Sequence, residues 1–174
     1  LRKASRPYLV EYEVNDEGDL RELGEKRRRP NPSISIVHVE GDLFFGAAEL
    51  FRNQIQRTFV DENLKIIILR LKNARHLDAT SVLALEDLIR SARAEGRHII
   101  ISGASREVYR VLKFSGVLEV LQEGCDRKKG ESNLYLFMPS NPNISTRDAL
   151  KRAQQILGTD KADIKIFYDP EKDS

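Results

Sequence analysis

The hydrophobic pattern of the chain switches repeatedly between two periods. Runs rich in β-branched and aromatic residues, which are typical of strands, cover residues 8–14, 34–40, 65–71, 98–102, 134–138 and 164–168. Stretches with an apolar residue at every third or fourth position, which are typical of amphipathic helices, cover residues 46–60, 78–96, 105–116 and 145–158. Because helices alternate with strands, the pattern predicts an α/β fold in which a small mixed β-sheet is packed by four to five helices.

Two of the predicted strands are apolar on successive residues. Residues 66–69 are Ile-Ile-Ile-Leu, and residues 99–101 are three isoleucines. A strand with apolar side chains on both faces is expected inside a sheet that is covered on both sides.

Polar residues and glycines mark where the predicted helices begin and end. Asp78 and Ser105 each precede a helical stripe and are predicted N-caps, because their side-chain oxygens accept hydrogen bonds from free backbone N–H groups of the first turn. Gly116 is the predicted stop of the helix that follows Ser105. Ser145 is the predicted cap of the last helix, which is expected to end at Gly158.

A charged segment separates the first predicted strand from the rest of the chain. Residues 15–33 are rich in charged side chains and include Pro30 and Pro32, which prevent a helix from running through. We therefore predict three regions. Residues 1–33 form an N-terminal strand and charged connector, residues 34–139 form the core, and residues 140–174 form a C-terminal helix and tail.

The charge of the chain is nearly balanced, with 29 Lys and Arg against 27 Asp and Glu and a net charge of +2. This balance argues against a protein that coats nucleic acid, and we predict no nucleic-acid partner. The longest strongly apolar stretch, residues 66–69, is far shorter than the roughly 20 residues that a membrane helix needs. The isolated chain is therefore expected to be soluble. It begins at Leu1 rather than Met, as expected of a processed product or a piece of a longer protein, although an artificial boundary explains it equally well.

Motifs for catalysis or metal binding are missing from the sequence. The single cysteine, Cys125, and the three scattered histidines lack the spacing of a metal site. The glycine-rich phosphate loops and the Gly-x-Ser-x-Gly elbow are absent. We therefore expect no catalytic residue, no metal and no enzymatic activity.

The loop Asp78-Ala79-Thr80-Ser81 is the most informative segment. Its two hydroxyls lie in the first turn of a predicted helix, beside free N–H groups and the positive end of the helix dipole. A phosphoryl group on Thr80, or a bound anion or nucleotide, would be stabilised there. Ordinary helix capping is the alternative interpretation.

Two segments resemble a known family. Residues 34–48, ISIVHVEGDLFFGAA, resemble the opening of a STAS domain, and residues 77–81, LDATS, resemble the Asp-Ser-Ser-Gly-type loop of that family. The form of the first segment is most similar to the cytosolic C-terminal part of bacterial SulP anion transporters. The resemblance covers about residues 8–137.

The resemblance implies a small β-sheet packed by helices, as in anti-sigma factor antagonists, without catalytic machinery. In those antagonists the second Ser of the loop is phosphorylated by a partner kinase. Thr80 occupies that position, Asp78 matches the preceding acidic residue, and Ser81 replaces the family's Gly, where a side chain could crowd a docked kinase. The regulatory candidates are Thr80, Ser81 and Asp78, and the partner-binding candidates are Phe44, Phe45, Gly46, Leu77 and Ala79.

The function that the resemblance implies is that of a cytosolic regulatory or interaction domain of a SulP-type secondary anion transporter, at the cytoplasmic face of the inner membrane. The expected partners are the transmembrane part of the same transporter, a cytosolic regulatory protein, and anionic lipid. The lipid contact is expected through Lys26, Arg27, Arg28 and Arg29, and a solvated linker is the alternative interpretation of this basic run. No cofactor is expected, although nucleotide binding stays open. The alternative is a free-standing phospho-switch that binds an anti-sigma kinase, with Thr80 as the acceptor.

Overall fold

A single β-sheet runs through the residues that the computed structural model describes, which are 8–14, 20–22, 33–38, 64–71, 77–158 and 164–168. Its strands are β1 (Tyr8–Val14), β2 (Leu20–Glu22), β3 (Ile34–His38), β4 (Ile66–Arg70), β5 (His98–Ala104), β6 (Leu134–Leu136) and β7 (Ile164–Tyr168). They lie in the order β2-β1-β7-β3-β4-β5-β6. The five strands from β7 to β6 are parallel, whereas β1 and β2 are antiparallel to their neighbours. The predicted mixed sheet is confirmed.

Four α-helices lie within the described residues. They are α1 (Ala79–Ala94), α2 (Arg106–Ser115), α3 (Val117–Leu121) and α4 (Ile144–Leu157). Helix α1 comes after β4, α2 and α3 come after β5, and α4 comes after β6, so helices and strands alternate as predicted. The predicted helix at residues 46–60 lies outside the described residues.

The part of the sheet formed by β3, β4 and β5 is buried on both faces, because these strands carry apolar side chains in both directions. Ile67, Ile99 and Ile101 belong to a core with the buried residues of α1, α2 and α3. Ile68 and Ile100 point the other way and pack against α4, through its residues Ala149, Leu150 and Ala153. Helices α1 and α4 therefore cover opposite faces, as the continuous apolar strands predict.

Local signals placed most of the helix ends correctly. Asp78 Oδ1 accepts the backbone N–H of Ser81 at 2.7 Å, and Ser105 Oγ accepts that of Val108 at 3.1 Å. Gly116 ends α2 with a φ of +83°, a left-handed conformation that favours glycine.

The predicted cap of the last helix is wrong. Helix α4 begins at Ile144 with Asn143 at the N-cap position, and Ser145 is buried inside the first turn. The Asn143 side chain makes no cap bond, and its Oδ1 instead accepts a hydrogen bond from Arg70 Nη2 at 2.9 Å. The polar side chain of the N-cap residue therefore joins α4 to the end of β4.

Strands from both ends of the chain extend the sheet on one side, beyond β3. Strand β7 lies between β1 and β3, pairing parallel with β3 and antiparallel with β1. Strand β2 pairs with β1 through residues 20–22, inside the segment predicted to be a connector.

Candidate functional site

The carboxyl ends of β4, β5 and β6 form one edge of the sheet. These strands are parallel, so their carboxyl ends lie together, and each leads toward the N-terminus of a helix. Ligands and partners of open α/β sheets characteristically contact this edge. Residues 77–81, which lead into α1, come after β4 at this edge.

Asp78 shapes this loop. Its backbone is extended, with φ −79° and ψ 172°, and its carboxylate accepts the Ser81 N–H. The backbone hydrogen bond from Ser81, followed by the side-chain hydrogen bond from Ser81, lowers the pKa of Asp78 from its usual value. The loop is thus fixed by a negative charge at the positive end of the α1 dipole.

We expect the stability contributed by the Asp78 charge to depend on pH. Because the pKa is lowered in the folded state, the contribution is complete above the unfolded value of 3.8 and is lost as the pH falls through the folded pKa. Asp78→Asn keeps a capping oxygen but removes the ionisation. The difference in unfolding free energy between the parent and this variant, measured in urea, should therefore shrink from about pH 6 to about pH 2. A difference that stays constant over this range would contradict the assignment.

The candidate residues of the loop divide into an exposed and a buried set. Ala79 and Thr80 are exposed, whereas Leu77 and Ser81 are buried in the domain. The two buried side chains hold the start of α1 against the core. Of the two hydroxyls in this turn, the one that solvent and partners reach is therefore that of Thr80.

An apolar side chain stands beside Thr80 on the outer face of α1. Leu83 follows it by three residues, is 63% exposed, and occupies the next turn of the same face. A macromolecule that contacts Thr80 is placed to contact Leu83 as well. The predicted partner-binding residues Phe44, Phe45 and Gly46, and the predicted lipid-binding residues Lys26–Arg29, lie outside the described residues.

A buried polar network, which no sequence pattern predicts, joins α4 to the segment before β6. Arg152 Nε donates to Asn133 Oδ1 at 3.1 Å, and Asn133 Nδ2 donates to the Leu121 carbonyl at 3.0 Å. Cys125, a partly buried free thiol, lies 3.6 Å from Arg152 Nη2. An arginine on an otherwise amphipathic helix looks like a surface residue in sequence, because the partners that allow its burial are distant in the chain.

Within residues 8–14, 20–22, 33–38, 64–71, 77–158 and 164–168, the structure holds no cluster of three or more His, Cys, Asp or Glu side chains suited to a metal ion. Across those same ranges, every helix is too short or too polar to span a bilayer.

The fold is that of an α/β domain with a mixed sheet, and comparison identifies the family. The family model for the STAS domain matches residues 26–131, more than half of the chain. The chain therefore belongs to the STAS domain family. Comparison with the curated proteins found no match.

Solved structures with the same fold include transporter domains. A sulfate transporter family protein from Wolinella succinogenes is 23% identical, with a TM-score of 0.57, and the match covers 75% of this chain and 93% of that one. The STAS domain of a SulP transporter from Vibrio cholerae is 27% identical, with a TM-score of 0.54 and coverage of 76% and 90%. The murine solute carrier 26 family member A9 anion transporter, in its inward-facing state, is 21% identical with a TM-score of 0.62. That match covers 87% of this chain but 23% of the transporter.

Proposed function

We propose that this STAS domain is the cytosolic regulatory and interaction part of a SulP-type secondary anion transporter, and that it acts by binding rather than by catalysis. The observation that carries the proposal is the surface formed by Ala79, Thr80 and Leu83, exposed at the start of a helix whose inner face is fixed in the core. The likeness to the Vibrio cholerae SulP domain, over 90% of that domain, supports the transporter context.

The physical basis of the proposal is the contrast between the two sides of α1. Leu85, Leu88 and Ile89 are buried, so the helix is held rigidly against the sheet. A surface on a rigid element binds a partner with little loss of conformational entropy. Thr80 supplies a polar contact and Leu83 an apolar one, which is the combination found at protein interfaces.

We expect Thr80→Glu, in the full parent transporter, to change sulfate uptake or partner affinity by about fivefold or more, because an interface must desolvate or exclude the added charge. The matched control is Ser91→Glu. Ser91 is exposed on the same helix, about 16 Å further along its axis, and should leave both readouts within twofold.

Equal transport and partner binding by the Thr80→Glu and parent proteins would remove this surface from the function. The transporter context has its own test in the parent gene. The region upstream of Leu1 should encode roughly ten or more apolar spans of membrane length, and a start codon immediately before this segment would exclude that context.

A phospho-switch is the second candidate, and the exposure of Thr80 favours it. A kinase can reach the Thr80 hydroxyl in the folded domain, and the N-terminal end of α1 would stabilise the added negative charge. Incubation with ATP and an anti-sigma kinase distinguishes this candidate, because it requires labelling that Thr80→Ala abolishes.

A further inference from the structure

A cleft of about 400 Å³ lies between α4 and the segment that leads into β6. One wall is a face of α4, formed by Asp148, Lys151, Arg152 and Gln155, which are spaced to lie on one side of a helix. The other wall includes Lys129, at the end of a single 3-10 turn, together with Glu131 and Tyr135. Because α1 packs on the opposite face of the sheet, this cleft is separate from the Thr80 surface.

Two of the charged groups of the cleft, Arg152 and Glu131, already have partners within the protein. Arg152 Nη1 donates to Gln155 Oε1 at 2.9 Å and lies 3.6 Å from Glu131 Oε1. The same Glu131 oxygen accepts the backbone N–H of Asp126 at 2.9 Å. These contacts fix the two walls relative to each other, so the cleft is formed before any ligand arrives.

Two cations remain available, one on each wall. Lys129 and Lys151 are exposed, and within the described part of the chain neither ammonium makes an ion pair or hydrogen bond. Ammonium groups on the two walls of a cleft suit a compact dianion, and a phosphate monoester has the charge and the acceptor oxygens to bind both.

The remaining polar groups of the cleft restrict the chemistry of the part of the ligand that is attached to the phosphate. The Asp148 carboxylate accepts hydrogen bonds and repels a second anionic group. The Tyr135 phenol is half-buried, and burial raises its pKa, so it stays protonated and can donate or accept. With the Gln155 amide, these groups match neutral hydroxyls rather than further phosphates.

We propose that this cleft binds a polyhydroxylated monophosphate, a ligand of the sugar-phosphate class. Its phosphate lies between Lys129 and Lys151, and its hydroxyls face Asp148, Tyr135 and Gln155. The volume is at the lower end of the range of small-molecule sites, which suits a single sugar ring with its phosphate.

Titration of glucose 6-phosphate into the 174-residue chain, followed by amide NMR at physiological salt, tests the proposal. We expect saturable shifts in residues 129–135 and 148–155, with an affinity at least about tenfold higher than that for glucose or inorganic phosphate alone. Absence of saturation at millimolar ligand, or equal affinity for inorganic phosphate, would overturn the assigned ligand class.

Variants separate a defined site from general attraction. Lys129→Gln and Lys151→Gln should each weaken glucose 6-phosphate binding by about tenfold, since each removes one of two phosphate contacts. Lys128→Gln is the matched control, because Lys128 is exposed on the same turn and does not line the cleft. A loss as large for Lys128→Gln as for Lys129→Gln would mean unspecific charge attraction and would overturn the site.

Discussion

Replacement of Ile100 by alanine is expected to lower the free energy of unfolding by about 2–5 kcal/mol, the range for large-to-small substitutions in a packed core. Ile100 is fully buried in β5, which has a paired strand on each side. Its side chain packs with Ile68 and with the inner face of α4. Alanine leaves a cavity that neither the sheet nor the helix can close without giving up other contacts.

The expected loss of stability from Ile100→Ala is large compared with the total stability of the domain. A domain of this kind has a total stability of about 5–15 kcal/mol, so Ile100→Ala should leave a small margin at physiological temperature. Urea denaturation of the parent chain, Ile100→Ala and Ile100→Val measures it, and the valine variant should lose about 0.5–1.5 kcal/mol. Leu83→Ala, on the exposed face of α1, should change stability by no more than about 0.5 kcal/mol. Equal losses for Leu83→Ala and Ile100→Ala would mean that burial does not distinguish these positions.

Local features of the sequence predicted the elements because their causes are local. The isoleucine runs of β4 and β5 predict buried strands without information from distant parts of the chain. The caps at Asp78 and Ser105 bond to N–H groups three residues ahead, so the sequence contains both partners within one turn. The helix stop at Gly116 is also local, because the left-handed conformation that ends the helix depends on the glycine itself.

The order of the strands in the sheet cannot be predicted from such local features. The pattern of residues 164–168 predicts strand β7, but its position between β1 and β3 depends on pairings with residues more than 100 positions earlier in the chain. The hydrophobic periodicity of a segment indicates which of its residues are buried. It does not indicate which strands are neighbours in the sheet. Strand β2 has three residues, too few for any period to be visible.

The Thr80 surface and the cleft beside α4 also differ in how far the sequence predicts them. The place of Thr80 in a capped first turn follows from the sequence, whereas its exposure is seen only in the structure, because Ser81 in the same turn is buried. The cleft beside α4 depends on Arg152, whose side chain is 9% exposed, and on the Asn133 oxygen that satisfies it. Ser145 looks like a cap in the sequence because it is a serine near a helix start, but the N-cap position of α4 is Asn143, two residues earlier.

Replacement of Arg152 by methionine is the second substitution for which we expect a large loss, about 3 kcal/mol in the free energy of unfolding. Methionine keeps the apolar stem but leaves the buried Asn133 Oδ1 without its donor, and an unsatisfied buried polar atom costs about 1–3 kcal/mol. It also leaves the Glu131 carboxylate, whose side chain is 19% exposed, without the guanidinium 3.6 Å away.

Two further variants assign this loss to the network rather than to the general effect of removing a charge. Arg110→Met changes an exposed arginine of α2 and should alter stability by no more than about 0.5 kcal/mol. Glu131→Gln, added to Arg152→Met, should recover part of the loss, because it removes the unpaired charge and keeps the oxygen that accepts the Asp126 N–H. Since α4 and the turn at residues 127–131 are joined through Arg152, loss of stability without this recovery would mean that the ion pair does not hold the walls of the cleft together.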